Sequence, residues 1–418
     1  MNMATTADPR LAGTVAFQYP DFVFFQMARF FIVLALEMQS VAVGWQVYEI
    51  TRKPLDLGLV GLAQFLPGVL FMLASGHAVD RLNRKRLLMG CYAGFALCSG
   101  LLLAFSVHGA HSVYPIYGVV VLLGTVRSFN FPTSRAILPQ LVPEEHFANA
   151  VAWNSSVFQG ATILGPSVGG LLYAFFHGAV AVYGTAMGIA FAALVSTLRI
   201  KAQQPARRRQ PVNLATILAG FRYIWEQKLI LGSISLDVFA VLLGGAVALL
   251  PVYAREILKT GPWGLGLLRS APGAGAAAMA ILLAHRPLKR NIGKTMLWCV
   301  AGFGVFTIVF GLSRNLYLSL VALLLCGASD MVSVFVRMSL VQLRTPDEMR
   351  GRVSAVNSIF IGTSNQLGEF ESGVTARLFG TVPATLLGGI GTLVVVAAWA
   401  VLFPSLRRIG RLEEVPAD

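Results

Sequence analysis

The sequence predicts an all-α membrane protein of twelve transmembrane helices, arranged as two bundles of six. Three observations carry this expectation. Apolar runs long enough to cross a bilayer recur along the whole chain, charged residues are scarce, and the second half repeats features of the first. Of 418 residues, 56% are hydrophobic and only 12% charged, with a mean hydropathy of +0.69. A soluble domain carries about 25% charged residues, so a surface this apolar cannot face water on every side. The formal charge of +14 would point to nucleic acid in a soluble protein. Here the basic residues fall mainly in short links between apolar runs, where they read as topology signals, and no nucleic-acid partner is expected.

A bilayer core requires about 20 apolar residues in helical form, because lipid offers no partner for open backbone groups. Such runs predict spans at 22–49, 57–79, 87–108, 113–137, 149–176 and 180–198. A second set follows at 229–254, 264–285, 295–313, 317–343, 353–377 and 384–404. The first run is full length and follows a polar, mixed start, so it reads as a retained helix and not a cleaved signal. Between the sets lies a polar, Pro-containing stretch holding Arg199, Lys201, Arg207, Arg208 and Arg209, followed at 214–225 by a short amphipathic helix expected on the membrane surface. The predicted domains are an N-terminal six-helix bundle at 1–198, a cytoplasmic linker at 199–228, and a C-terminal six-helix bundle with a cytoplasmic tail at 229–418.

Orientation follows from the links. With the N-terminus inside, the inner segments hold Arg10; Arg81, Arg84, Lys85 and Arg86; the linker bases with Arg222 and Lys228; Arg286, Lys289, Arg290 and Lys294; Arg344, Arg350 and Arg352; and Arg407, Arg408 and Arg411. The outer links hold only Arg52, Lys53, Arg255, Lys259, Arg314 and Arg377. This excess places both termini in the cytoplasm of an inner (plasma) membrane.

The halves repeat. Pro143-Glu-Glu followed by Asn154 returns as Pro346-Asp-Glu followed by Asn357, an offset of 203. Val60-Gly-Leu-Ala-Gln-Phe-Leu-Pro-Gly68 matches Leu265-Gly-Leu-Leu-Arg-Ser-Ala-Pro-Gly273 at an offset of 205. Two matches at nearly one offset argue for duplication, and parallel repeats of six helices place a binding site between the halves near mid-membrane.

Two motifs carry more. The link between the second and third spans reads Gly76-His-Ala-Val-Asp80-Arg81-Leu-Asn83-Arg84-Lys85-Arg86. A carboxylate at the inner end of a span, beside Arg81, Arg84 and Lys85, is held charged. Within the fifth span, Gly160, Gly165, Pro166, Gly169 and Gly170 clear a flat face for a neighbouring helix. The first motif resembles the signature loop of the major facilitator superfamily, and the second resembles that superfamily's antiporter motif. The stretch from Pro132 through Asn154 and the segment Gly351-Arg-Val-Ser-Ala resemble its enterobactin-exporter and macrolide-efflux branch. The resemblance implies the major facilitator fold, a loop at Gly76, Asp80, Arg81, Arg84 and Lys85 that locks one conformation, and export by a drug:proton antiporter. Asn83 departs from the usual glycine of the loop, and His285 stands where a second Asp would match Asp80.

Ionisable residues at membrane depth cost roughly 2.5–3.5 kcal/mol each at a helix centre, so they persist where shielded or useful. Glu37 lies midway along the first span with Arg29 two turns away, Arg127 midway along the fourth, and Asp330 midway along the tenth at the position matching Arg127 in the repeat. The resemblance implies that spans 1, 4, 7 and 10 line a cavity, so Glu37, Arg127 and Asp330 are expected to project into it, with Glu37 and Asp330 including the proton-coupling carboxylate and Arg127 its changing partner or a substrate anchor. Asp237, Glu369, Glu371, Arg269 and Arg337 complete the set. The alternative for all of them is a static buried ion pair that fixes packing.

The four cysteines sit inside apolar runs and read as packing residues, and His77, His108 and His111 lack metal-ligand spacing. No Walker loop, nucleophile elbow or HExxH motif is present, which speaks against ATP as the driver and against an enzyme. The expected function is secondary active transport by alternating access: proton-coupled efflux of a small amphipathic drug or siderophore-like metabolite. The expected protein is a monomer in the lipid bilayer, with no cofactor beyond the proton gradient. A lipid or lysolipid translocator, an importer, or a non-transporting receptor or scaffold on the same fold are the alternatives. A strongly polar cavity would favour the first.

Overall fold

The computed structural model describes residues 13–109, 112–201, 214–286, 288 and 290–410. Arg10, His111, Arg207, Arg208, Arg209, Lys289 and Arg411, weighed above, lie outside these residues. Among the described residues there is no β-strand. The first half comprises α1 (Pro20–Thr51), α2 (Pro54–Leu70), α3 (Met72–Arg81), α4 (Arg84–Val107), α5 (Tyr114–Ile137), α6 (Phe147–Phe175) and α7 (Ala179–Leu198). A short α8 (Leu214–Glu226) precedes the second half: α9 (Lys228–Gly244), α10 (Leu250–Val252), α11 (Gly261–His285), α12 (Ile292–Leu312), α13 (Leu316–Arg344), α14 (Asp347–Phe379), α15 (Thr381–Leu402) and α16 (Pro404–Arg407).

Local chemistry explains the ends. Proline near the first position starts α1, α2, α5 and α11, where its missing N–H costs nothing. Asn83 caps α4 by accepting from the Arg86 N–H at 3.1 Å, so the residue that departs from the loop pattern has a local use. Asn315 caps α13 in the same way.

Two expected spans are broken. The span expected at 57–79 is the pair α2 and α3, bent by 52° at Phe71, four residues past Pro67 within α2. The span expected at 229–254 stops as an α-helix at Gly244, turns through a 3₁₀ segment at Ala246–Leu249 and α10, and ends in a π turn at Tyr253–Ile257. Eight helical stretches are long and apolar enough to cross a membrane, and the α2–α3 pair makes a ninth. Helices α5, α6 and α14 have 24, 29 and 33 residues but carry more polar residues, among them Arg127 and Glu369 of the site on α5 and α14. The count of twelve remains the sequence's expectation for these three.

In the first half, α1 packs on α6 and α7, α4 on α5 and α7, and α2 on α5. In the second, α11 packs on α13, α12 on α13 and α15, and α9 on α14 and α15. Close backbone approach holds such helices where the hydrophobic effect is absent. Gly275 and Gly327, for example, face the backbones of Leu324 and Pro272 with no room for a methyl group. The halves meet along two seams, α6 against α11 and α2 against α14. Helix α8 docks on α9 and α14 with Ile224 buried, and its Tyr223 hydroxyl donates to the Arg344 carbonyl at the end of α13 at 2.9 Å. Its Leu218, Phe221 and Trp225 remain exposed, an apolar stripe suited to a membrane surface.

Candidate functional site

Between the seams lies a cavity of about 260 Å³ whose wall draws on both halves. Glu37 on α1 and Arg127 on α5 reach it from the first half, and Arg269 on α11 and Glu369 on α14 from the second. Gln64 of α2, Ser40 of α1 and Gln366 of α14 add polar groups. Arg127 donates to Gln64 Oε1 at 3.0 Å, and Arg269 donates to Ser40 Oγ at 2.9 Å across the interface between halves. Glu369 has Arg269, Arg127 and Glu37 as its charged neighbours. The cavity therefore carries two carboxylates and two guanidiniums, one of each from each half.

Glycines bring these groups together. A methyl on Gly61 would come within 2.7 Å of a Glu369 carboxylate oxygen, so this glycine is what lets α14 present Glu369 beside α2. A methyl on Gly165 would meet Glu37 Cβ at 2.5 Å, and one on Gly169 would meet the Met38 backbone at 2.7 Å. Gly170 serves the other half, since a methyl there would come within 2.9 Å of the Gly266 Cα of α11. The glycine motif of α6 thus seats two helices from two bundles, and Pro166 lines the cavity between them. Gly160 takes no part, since a methyl there would meet nothing within 4 Å.

One end of the cavity is closed. There the α1 end and the Tyr253–Ile257 turn are tied by the Tyr48 hydroxyl donating to Glu256 and by an Arg255–Glu49 ion pair at 3.3 Å. Tyr173 donates to Glu49 at 2.9 Å, and the Arg255 guanidinium lies over the Trp45 ring at 5.2 Å. The other end opens. Gln64, Arg127 and Gln366 also border a second, more apolar hollow of about 420 Å³ that runs between α2, α3, α5 and α14 to Gly76.

The signature loop sits at this open end. Asp80 is exposed and, among the described residues, makes no ion pair, so it does not bridge the halves here. Arg84 donates to the Ala136 carbonyl at 3.0 Å, and Lys85 to the Leu198 and Ile200 carbonyls at 2.9 and 2.6 Å. These bonds anchor the loop to its own bundle, while Arg81 is exposed.

Several expected site residues lie elsewhere. Asp330 matches Arg127 in the repeat and in depth, yet it does not face the cavity. Helix α13 packs along α11 and α12 and turns Asp330 toward Asp237 inside the second bundle, whereas α5 turns Arg127 to the interface. Asp237 is 4% exposed and paired at 2.5 Å with Arg337, which is 1% exposed. Glu371, two residues past Glu369, points away from the cavity and accepts a bond from Thr375 at 2.6 Å. Arg29 is also outside the cavity wall, its guanidinium 5.3 Å from the Phe158 ring centroid. The sequence reading did not single out Gln64, Gln366, Glu49, Arg255 or Glu256. The last three were visible only as charges at matching ends of the first and seventh spans. Among the described residues no His, Cys, Asp and Glu cluster fits a metal ion.

Comparison with known proteins agrees with this architecture. Residues 15–418 match the family described as transmembrane secretion effector. The enterobactin exporter EntS of Escherichia coli O1:K1 is 27% identical over 402 residues, covering 93% of each chain. The enterobactin exporter EntS of Citrobacter koseri is 27% identical over 410 residues, covering 95% of each. Among solved structures, the POT family transporter PepTSo superposes with a TM-score of 0.72 at 11% identity, covering 93% of this chain and 98% of its own. A D-xylose–proton symporter gives 0.69 at 14% identity, covering 93% and 99%. At these identities the solved structures speak for the fold alone. With the family matched over nearly its whole length and two helical halves flanking a shared polar cavity, this multi-pass membrane protein belongs to the transmembrane secretion effector family, in the enterobactin-exporter branch of the major facilitator transporters.

Proposed function

We propose that the chain exports a small amphipathic compound across the bacterial inner membrane by alternating access, driven by the proton gradient, and that siderophore-like metabolites are its substrate class. One observation carries this reading: the cavity between the halves is lined by Glu37, Arg127, Arg269 and Glu369, closed at the Glu49–Arg255 end and open at the Gly76 end. With the termini in the cytoplasm, the open end is the cytoplasmic one, the side from which an exporter loads. Two guanidiniums suit a ligand with acidic or hydrogen-bonding oxygens, and the apolar hollow beside them suits a ligand with an aromatic or aliphatic body. The names of the relatives point to a siderophore. A lipid translocator would need no set of four charged side chains such as this cavity carries. Rocking the halves would part Arg269 from Ser40 and expose the site to the far side.

The test is uptake of a catecholate siderophore into energised everted membrane vesicles, with and without a protonophore, from a deletion strain carrying the gene or an empty vector. Gene-dependent accumulation that collapses with the protonophore supports the reading. Accumulation indifferent to the protonophore removes proton coupling. No gene-dependent flux of the siderophore or of a panel of amphipathic drugs removes export.

A further inference from the structure

A second set of charges lies wholly inside the C-terminal half. Asp237 of α9 and Arg337 of α13 form the buried pair at 2.5 Å. Asp330 stands two turns before Arg337 on the same face of α13 and borders, with Asp237, Ser333, Val300 and Phe303, a void of about 10 Å³. That is at the lower limit for a single water molecule. Ser333 is 1% exposed and borders this void beside Asp237, and the buried Nε of Arg337 makes no hydrogen bond. The groups around Asp330 are few. Helix α9 offers Asp237, and α12 offers Val300 and Phe303 with no charge. Its own helix offers Arg337, Ser333 and the Cys326 thiol, while Arg269 of the neighbouring α11 faces the central cavity.

Charge balance separates the two sets. In the cavity, two carboxylates meet two guanidiniums, and the group is neutral with all four ionised. Inside the C-terminal bundle, two carboxylates meet one guanidinium. Full ionisation there would leave a net negative charge in an apolar interior with room for one water at most. A buried carboxylate without a cation takes up a proton instead. Arg337 is already engaged by Asp237, so the proton falls to Asp330.

We propose that Asp237, Arg337 and Asp330 form the proton site of this protein, that Asp330 holds the proton in this conformation, and that the central cavity is left to the substrate. The Ser333 hydroxyl, beside Asp237 and bordering the same void as Asp330, is the group placed to pass the proton. Helix α9 links the two sites. It carries Asp237 and, beyond its break at Gly244, Val247, Ala248 and Pro251 of the cavity wall. The Gly245 carbonyl at the break accepts from Ser372 of α14 at 2.8 Å. When the proton leaves, Asp330 competes with Asp237 for Arg337, and the broken α9 is the element free to shift. The proton assignment stands on the charge count; only its use as the driving ion rests on the export reading.

Infrared spectroscopy of the purified full-length protein in lipid nanodiscs tests this without any substrate. The carbonyl-stretch band of a protonated carboxylic acid is compared, as difference spectra at neutral pH, between wild type and variants. Asp330→Asn and Asp237→Asn should each lose one protonated acid, because either leaves one carboxylate for one guanidinium. Glu37→Gln and Glu369→Gln should lose none. A band retained in both Asp variants, or lost in either cavity variant, overturns the assignment. Replacing a neutral acid by a neutral amide of the same shape should also leave the thermal midpoint of Asp330→Asn at the wild-type value, and a large drop would mean that Asp330 was ionised. A chain that exported nothing would still give the expected spectra, so failure of the transport reading is not mistaken for failure of this one.

Discussion

The charges between the two bundles and the charges inside one of them follow opposite rules. Glu37, Arg127, Arg269 and Glu369 come from both halves, are half-buried, and balance in sign. Asp237, Arg337 and Asp330 come from one half and do not balance, with two of the three almost fully enclosed. On the export reading proposed above, a group at the interface would change neighbours as the halves rock, and so would grip and release a cargo. A group enclosed within one bundle has only that bundle's few charges to answer to, so its proton is the first thing to change. All seven are charges set in apolar helices, so sequence surroundings do not separate these roles; the facing of each side chain and the local charge count do.

The largest effect should come from removing the lone cation of the enclosed set. Arg337→Met leaves the buried Asp237 without its cation and should cost about 3–5 kcal/mol of stability. Arg269→Met, which removes a half-buried cation with a single hydrogen bond to Ser40, should cost less than about 1.5 kcal/mol. Denaturant unfolding of the two purified variants makes the comparison, and equal losses would break the distinction. Transport should show the reverse order of sensitivity. Arg127→Gln and Arg269→Gln each remove a charged hydrogen-bond donor worth about 1.5–3 kcal/mol, so the half-saturating substrate concentration in vesicle uptake should rise roughly ten- to hundred-fold. Gly170→Val forces α6 away from Gly266 and should disfavour this conformation by about 1–3 kcal/mol, seen as a longer spin-label distance between α6 and α11. Glu49→Gln loosens the closed end, but its ion pair is partly exposed, with side chains 45% and 21% accessible for Glu49 and Arg255. The shift should be no more than about 1 kcal/mol, up to about fivefold in the population open at that end, read by labelling of a cysteine placed beside Tyr48. Smallest of all, Gly160→Ala should change transport and stability by less than about 0.5 kcal/mol.

Much of the fold was legible because a bilayer leaves few ways to bury a backbone. Apolar runs located the helices, and the offset between the Pro143 and Pro346 segments revealed the duplication. The breaks at Phe71 and Gly244 were not legible, since each lies inside a continuous apolar run. Within the site, Glu37 and Arg127 stood out as charges in apolar surroundings, and both face the cavity. Asp330 stood out equally and faces elsewhere, because a repeat fixes depth along a helix while packing against α11 and α12 fixes its rotation. Glu369 and Glu371 looked equivalent on paper, but two residues along a helix is more than half a turn, so only one meets Gly61. Gln64 and Gln366 carry no charge to mark them out, and only the fold brings them to the junction of the two hollows.

The two glycine contacts between the halves have a mechanical meaning. Gly170 lies against Gly266 on one flank, and Gly58 against Gly373 on the other, each pair nearer the closed end than the open one. On the export reading proposed above, two bare backbone contacts on opposite flanks would serve as an axle on which the bundles swivel without dragging side chains past one another. Bulky residues at these contacts should therefore alter how often the gate swings and leave untouched which molecules fit through it.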